Sequence, residues 1–149
     1  MENKKQAKNL LDAWVKLSGL LKNTRITKGL MYNEATVMLI LYKKYTEDGE
    51  GIVSVRDIVF QTNMLKSLVT RTVTDLEKKG LLERCEADDS PDKRIRYVRC
   101  VKEKLDIFLE VHESSLALSE KILNVIGKED AQAFVRIVKK IEKAAICRS

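Results

Sequence analysis

The chain has 149 residues, 44% hydrophobic and 34% charged: enough for one domain with its own core, and too polar for a bilayer protein. No apolar run nears the ~20 residues that cross a membrane, and Met1–Gln6 carries lysines with no apolar stretch behind them, so a cytoplasmic location is expected rather than secretion. A net charge of +6 suits a polyanionic partner, but nine Lys/Arg face six Asp/Glu in residues 1–51, ten face eight in 52–101 and nine face eight in 102–149, so bulk charge singles out no segment.

In chain order, Ala7, Leu10, Leu11, Trp14, Val15, Ser18 and Leu21 recur at helical spacing and predict a helix over Lys4 to Leu21. A second helix is expected over Asn33 to Tyr45, with Asn33 as its cap and Val37, Ile40, Leu41 and Tyr45 on one side. Glu47–Gly51 reads as a turn, and Ile52-Val53 as a short strand. Ser54-x-x-Asp57 has the form of a capping box and opens a short helix, Val55 to Phe60. Thr62-Asn63 supplies the cap of a fourth helix running to Lys79, where Gly80 stops it. Leu81 to Glu86 and Ile95 to Cys100 read as paired strands. Two amphipathic helices follow, Glu103 to Ile126 and Glu129 to Ala145, divided by Gly127.

The fourth helix divides into two faces. Leu65, Leu68, Val69, Val73 and Leu76 form its inward side, while Asn63, Lys66, Ser67, Thr70, Arg71 and Thr74 form a stripe with cations, hydroxyls and an amide but no acid. A helix entering the major groove of duplex DNA needs that mix: short polar groups that let the backbone approach, and Arg or Lys for guanine edges and phosphates. Acids return at Asp75 and Glu77, which leaves the N-terminal turns for contact. The loop Asp88-Asp89-Ser90-Pro91-Asp92-Lys93-Arg94 then makes a tight hairpin tip, since proline presets its backbone angle and aspartate bonds back to the main chain. Lys93 and Arg94 at such a tip suit the narrow, electronegative minor groove, with Asp92 positioning an arginine through a charge-assisted bond.

These residues resemble the MarR family of bacterial transcription regulators. The resemblance is carried by Ser67-Leu68-Val69-Thr70-Arg71, by Asp75-Leu76-Glu77-Lys78-Lys79-Gly80-Leu81-Leu82-Glu83-Arg84, and by Asp92-Lys93-Arg94 with Val98 downstream. It implies a mainly α fold with a small antiparallel β-hairpin wing: a winged helix-turn-helix lobe over residues 33–101, and dimerisation helices from both chain ends (1–32 and 102–149) within a single 149-residue domain. It further implies a cytoplasmic, nucleoid-associated homodimer that binds a palindromic operator, represses transcription and is released by a small aromatic effector. The expected DNA contacts are Ser54, Asn63, Lys66, Ser67, Thr70, Arg71, Thr74, Lys93, Arg94 and Arg96. Trp14, Met31, Tyr32 and Phe108 are the candidates for the effector cleft. Lys93 stands where the family carries an arginine and loses bidentate geometry, so the minor-groove role passes chiefly to Arg94.

A winged-helix module for protein association, without DNA binding, is the alternative, and the even spread of charge is its support. Catalysis is not expected: His112 stands alone among polar neighbours, as a surface residue would, with no nucleophile, paired carboxylates or glycine-rich phosphate loop at a recognisable spacing. Cys85, Cys100 and Cys147 have no Cys-x-x-Cys spacing, so neither a metal nor another cofactor is expected. Cys85 and Cys100 facing one another across the hairpin would permit a redox switch.

Overall fold

The burial pattern of the middle of the chain sets the architecture. In a computed structural model, which describes residues 1–23, 29–87 and 92–144, the core is built from Val37, Met38 and Leu41 of α2 (Tyr32–Asp48), Ile58 of α3 (Val55–Thr62) and Val69, Val73 and Leu76 of α4 (Lys66–Lys78). A three-stranded antiparallel sheet covers this cluster. Its order is β1 (Val53–Ser54), β3 (Tyr97–Cys100), β2 (Leu82–Cys85), with Val53 opposite Val98 and Leu82 opposite Cys100. After β3 a single 3₁₀ turn, Lys102–Lys104, leads into α5 (Leu105–Ile126), which adds Leu105, Phe108 and Val111 to the same core. The chain opens with α1 (Glu2–Asn23) and ends its described part with α6 (Lys128–Ala144), packed on α5. This is the mainly helical winged helix-turn-helix architecture expected from the sequence. The turn Asp88-Asp89-Ser90-Pro91 and Cys147 lie outside the described residues.

Local chemistry accounts for most boundaries. The Ser54 hydroxyl accepts the Asp57 N–H at 3.0 Å and caps α3 as its spacing predicts. After α2, Asp48 Oδ1 accepts the N–H groups of both Glu50 and Gly51 at 2.9 Å, which holds its carboxyl below the usual carboxylate range. Gly51 there has φ +72°, and a Cβ would stand 3.0 Å from Tyr45 Cβ, so only glycine fits this turn.

Two expectations about caps do not hold. Helix α2 starts one residue early, at Tyr32, and it is Glu34 that closes its first turn, accepting the Met31 N–H at 2.7 Å. Asn33 is not the cap. Helix α4 begins at Lys66 rather than after Asn63, because Asn63 adopts the left-handed conformation (φ 57°) and ends α3, its N–H donating to Val59 O at 3.0 Å. The threonine before it serves that turn, Thr62 Oγ1 accepting the Met64 N–H at 3.2 Å.

Candidate nucleic-acid interface

With its start moved to Lys66, α4 buries Val69, Thr72, Val73 and Leu76. Thr72 tolerates burial because its hydroxyl donates to Leu68 O at 2.7 Å. Leu65, expected inward, lies just outside the helix in extended conformation and is 72% exposed. It occupies the cap position without any side-chain bond, where an oxygen-bearing residue would stabilise the helix by about 1 kcal/mol. No acid occupies the first turn and Lys78 sits in the last, so the positive end of the helix dipole is left for an external anion.

Between α4 and the wing runs a groove of about 680 Å³. Val55, Val59, Val73 and Ile95 give it apolar walls; Arg56, Lys66, Arg84, Arg94 and Arg96 supply five cations, and Thr70 completes the lining, with no carboxylate among the described lining residues. Three chain segments converge here: α3 brings Arg56, α4 brings Lys66 and Thr70, and the hairpin brings Arg84, Arg94 and Arg96. Sequence does not single out Arg56, and it names Arg84 only as the end of the motif that carries the resemblance, not as a contact. Each stands beside an acid in the chain (Asp57, Glu83) and reads there as balanced surface charge.

Two of the cations, Arg94 and Arg84, are held by specific partners. Asp92 grips Arg94 through Nε–H to Oδ1 (3.1 Å) and Nη2–H to Oδ2 (3.4 Å), and also accepts the Arg94 backbone N–H at 3.0 Å. The Arg94 guanidinium first, and that backbone N–H second, hold the Asp92 carboxyl below the usual aspartate range. The Arg94 side chain is nonetheless 92% exposed, so the arginine is aimed outward rather than buried. Arg84 reaches back to α4, donating to Glu77 Oε1 at 3.4 Å and to Thr74 Oγ1 at 3.2 Å.

Of the other predicted contacts, Ser67 and Arg71 are exposed but sit about 100° further round α4 than Lys66 and Thr70, which line the groove. Thr70 and Thr74 donate their hydroxyls to Lys66 O and Thr70 O at 2.9 and 3.0 Å, which leaves the Thr70 oxygen able to accept, while Thr74 Oγ1 already accepts from Arg84. Asn63 and Lys93 are exposed at the interhelical turn and the hairpin tip. Ser54 is placed otherwise than expected: it is 7% exposed, and its hydroxyl is committed to capping α3.

The four residues expected at an effector cleft do not meet. Tyr32 and Phe108 share a small cavity of about 210 Å³ with Ala35, Thr36, Leu39, Val111, His112 and Ser115. Trp14 and Met31 are not in its lining and are 56% and 70% exposed. His112 is not a plain surface residue: half-buried, its ring lies 5.7 Å from Phe108 and 5.8 Å from Tyr42. Cys85 and Cys100 are both free. They pair with Tyr97 and Leu82 respectively, three register positions apart on the ladder. That is roughly 10 Å along the strands and beyond a disulfide's reach. Burial pushes both thiols up, further from the reactive thiolate.

Residues 44–95, which hold β1, α3, α4 and the first hairpin strand, β2, match the sequence model of the MarR family. No curated protein matches the sequence significantly. Among solved structures, AbsC, a MarR family transcriptional regulator from Streptomyces coelicolor, superposes with a TM-score of 0.74 at 17% identity over 92% of each chain. The transcriptional regulator BldR from Sulfolobus solfataricus gives 0.72 at 24% identity, covering 95% of this chain and 96% of its own. BpsR from Bordetella bronchiseptica, whose DNA binding is regulated by 6-hydroxynicotinic acid, gives 0.73 at 16% identity over 93% and 98%. The chain is therefore MarR-like: residues 44–95 match the family in sequence, and nearly its whole length shares the fold of these solved proteins.

Proposed function

We propose that the chain is a sequence-specific duplex-DNA-binding regulator of transcription that acts as a homodimer, most simply as a repressor. The observation that carries this reading is the cation-lined groove between α4 and the wing, open beside an uncapped helix end with no acid in its first turn. A duplex supplies what that surface lacks: a line of phosphates for Arg56, Lys66, Arg84 and Arg96, with base edges for the Ser67, Thr70, Arg71 and Thr74 face. Lys93 and Arg94 would then follow the backbone into the neighbouring minor groove, Asp92 holding the Arg94 guanidinium in aim.

Dimerisation is supported by apolar faces left open at both chain ends. Leu10, Leu11, Trp14, Val15 and Leu20 of α1, and Phe134, Val135, Ile137 and Val138 of α6, are exposed, and clustered exposed apolar residues of this kind are what a protein interface covers. We assign residues 33–101 to the DNA-binding lobe and 1–32 with 102–149 to the dimerising helices. The cavity beside Phe108 and His112 is our site for an aromatic effector; a dry cavity of ~150 Å³ already holds benzene, so about 210 Å³ admits one substituted ring. NadR was solved with 4-hydroxyphenylacetate and BpsR responds to 6-hydroxynicotinic acid, and hydroxylated aromatic acids of that size are the class to screen.

Selection of bound sequences from a random duplex pool tests the reading. The expected product is a two-fold symmetric site with half-site centres ~10 base pairs apart or a small multiple. Failure to retain any duplex at low salt would favour the protein-association module instead.

A further inference from the structure

We propose that Leu65 reads the 5-methyl group of a thymine in the major groove, a contact that rests on the duplex-binding reading above. Leu65 breaks two local rules at once. It puts a large apolar side chain into water, and it fills the cap of α4 with a residue that has no oxygen to accept a first-turn N–H. Departures of this kind concentrate at functional positions, since elsewhere nothing offsets them. The core does not use the residue: Val69, Val73 and Leu76 are the fully buried side chains of α4.

Its position fixes the partner's chemistry. The next residue, Lys66, lines the cationic groove, and the first turn of α4 carries no acid. A polyanion drawn to that groove brings its outer edge against Leu65. The thymine 5-methyl is the one methyl group that a standard base presents in the major groove, and the largest apolar group there. An exposed leucine at the leading end of α4 gains most by desolvation against that group. Thr70 and Thr74 commit their hydroxyl protons to the helix backbone, so polar donation on this face falls to Ser67 and Arg71 and apolar readout to Leu65.

The test uses the full chain and a duplex selected by it from a random pool, resynthesised with each thymine replaced singly by deoxyuridine, which removes only the methyl. At one thymine per half-site the replacement weakens binding about fourfold, the value of burying one such group. For Leu65→Ala and Leu65→Ser the thymine and deoxyuridine duplexes bind alike. Leu65→Ser also supplies the missing cap, so its melting temperature equals or exceeds that of the parent chain, which separates lost reading from lost folding. Indifference of the parent chain to every replacement overturns the proposal, as does retention of the full fourfold difference by Leu65→Ser. A parent chain that binds no duplex at low salt overturns the underlying function instead, and is seen before any deoxyuridine is introduced.

Discussion

Arg94 is a cation of the groove whose side chain is almost fully exposed and yet tightly specified. Asp92 takes its Nε–H and one Nη2–H, which leaves the rest of the guanidinium's five donors for a ligand. Replacing Arg94 by alanine is expected to cost about 1–3 kcal/mol of duplex affinity at fixed salt if the contact is bidentate to a base. A gel-shift titration measures it, and unchanged affinity removes the wing from the mechanism. The pair also sets a pH window. Because Arg94 holds the Asp92 pKa down, the pairing is intact above the ordinary aspartate range and is lost only as pH falls through the lowered value. NMR titration of the Asp92 carboxyl should give a midpoint below that of a model aspartate, rising in Arg94→Ala; equal midpoints in the two proteins would deny the contact. Sequence could suggest this pair because its members are two residues apart. It could not find Arg56 and Arg84, whose shared groove exists only once α3 and β2 are folded against α4.

Helix α4 shows what a periodicity argument reaches and where it stops. Its inward side was readable from Val69, Val73 and Leu76, but the wheel was extended backwards through Leu65, which the left-handed Asn63 and the extended Leu65 backbone place outside the helix. Caps are decided by single dihedral angles, and the apolar spacing of a segment does not encode them. The far end of α4 is fixed by a contact across 45 residues. Lys79 Nζ donates to Glu34 Oε1 at 2.7 Å and to Gly29 O at 3.3 Å, and Glu34 is only 3% exposed. This ties the C-terminus of α4 to the start of α2. Lys79→Met leaves a buried carboxylate with a single backbone donor and is expected to destabilise the chain by about 1–3 kcal/mol in urea unfolding. Stability equal to the parent chain would show that the pair contributes nothing.

At the scale of the molecule, the apolar periodicity of both chain ends was plain in the sequence, but not which residues would remain open. The lining of the cavity between α2 and α5 was only half legible: Tyr32 and Phe108 were named from sequence, whereas His112 joins Phe108 through an aromatic cluster that its polar sequence neighbours conceal. Regulation of transcription by this chain requires the groove between α4 and the wing to lie against the phosphates of a double helix. The most direct test of that contact is the salt dependence of affinity for the selected duplex. With three to four phosphates neutralised by each of two subunits, log K against log salt should fall with a slope on the order of −6. Alanine at Arg56 should flatten that slope by about one for each subunit's lost phosphate contact. A slope near zero, or one that Arg56→Ala leaves unchanged, would contradict the assignment of this groove to DNA.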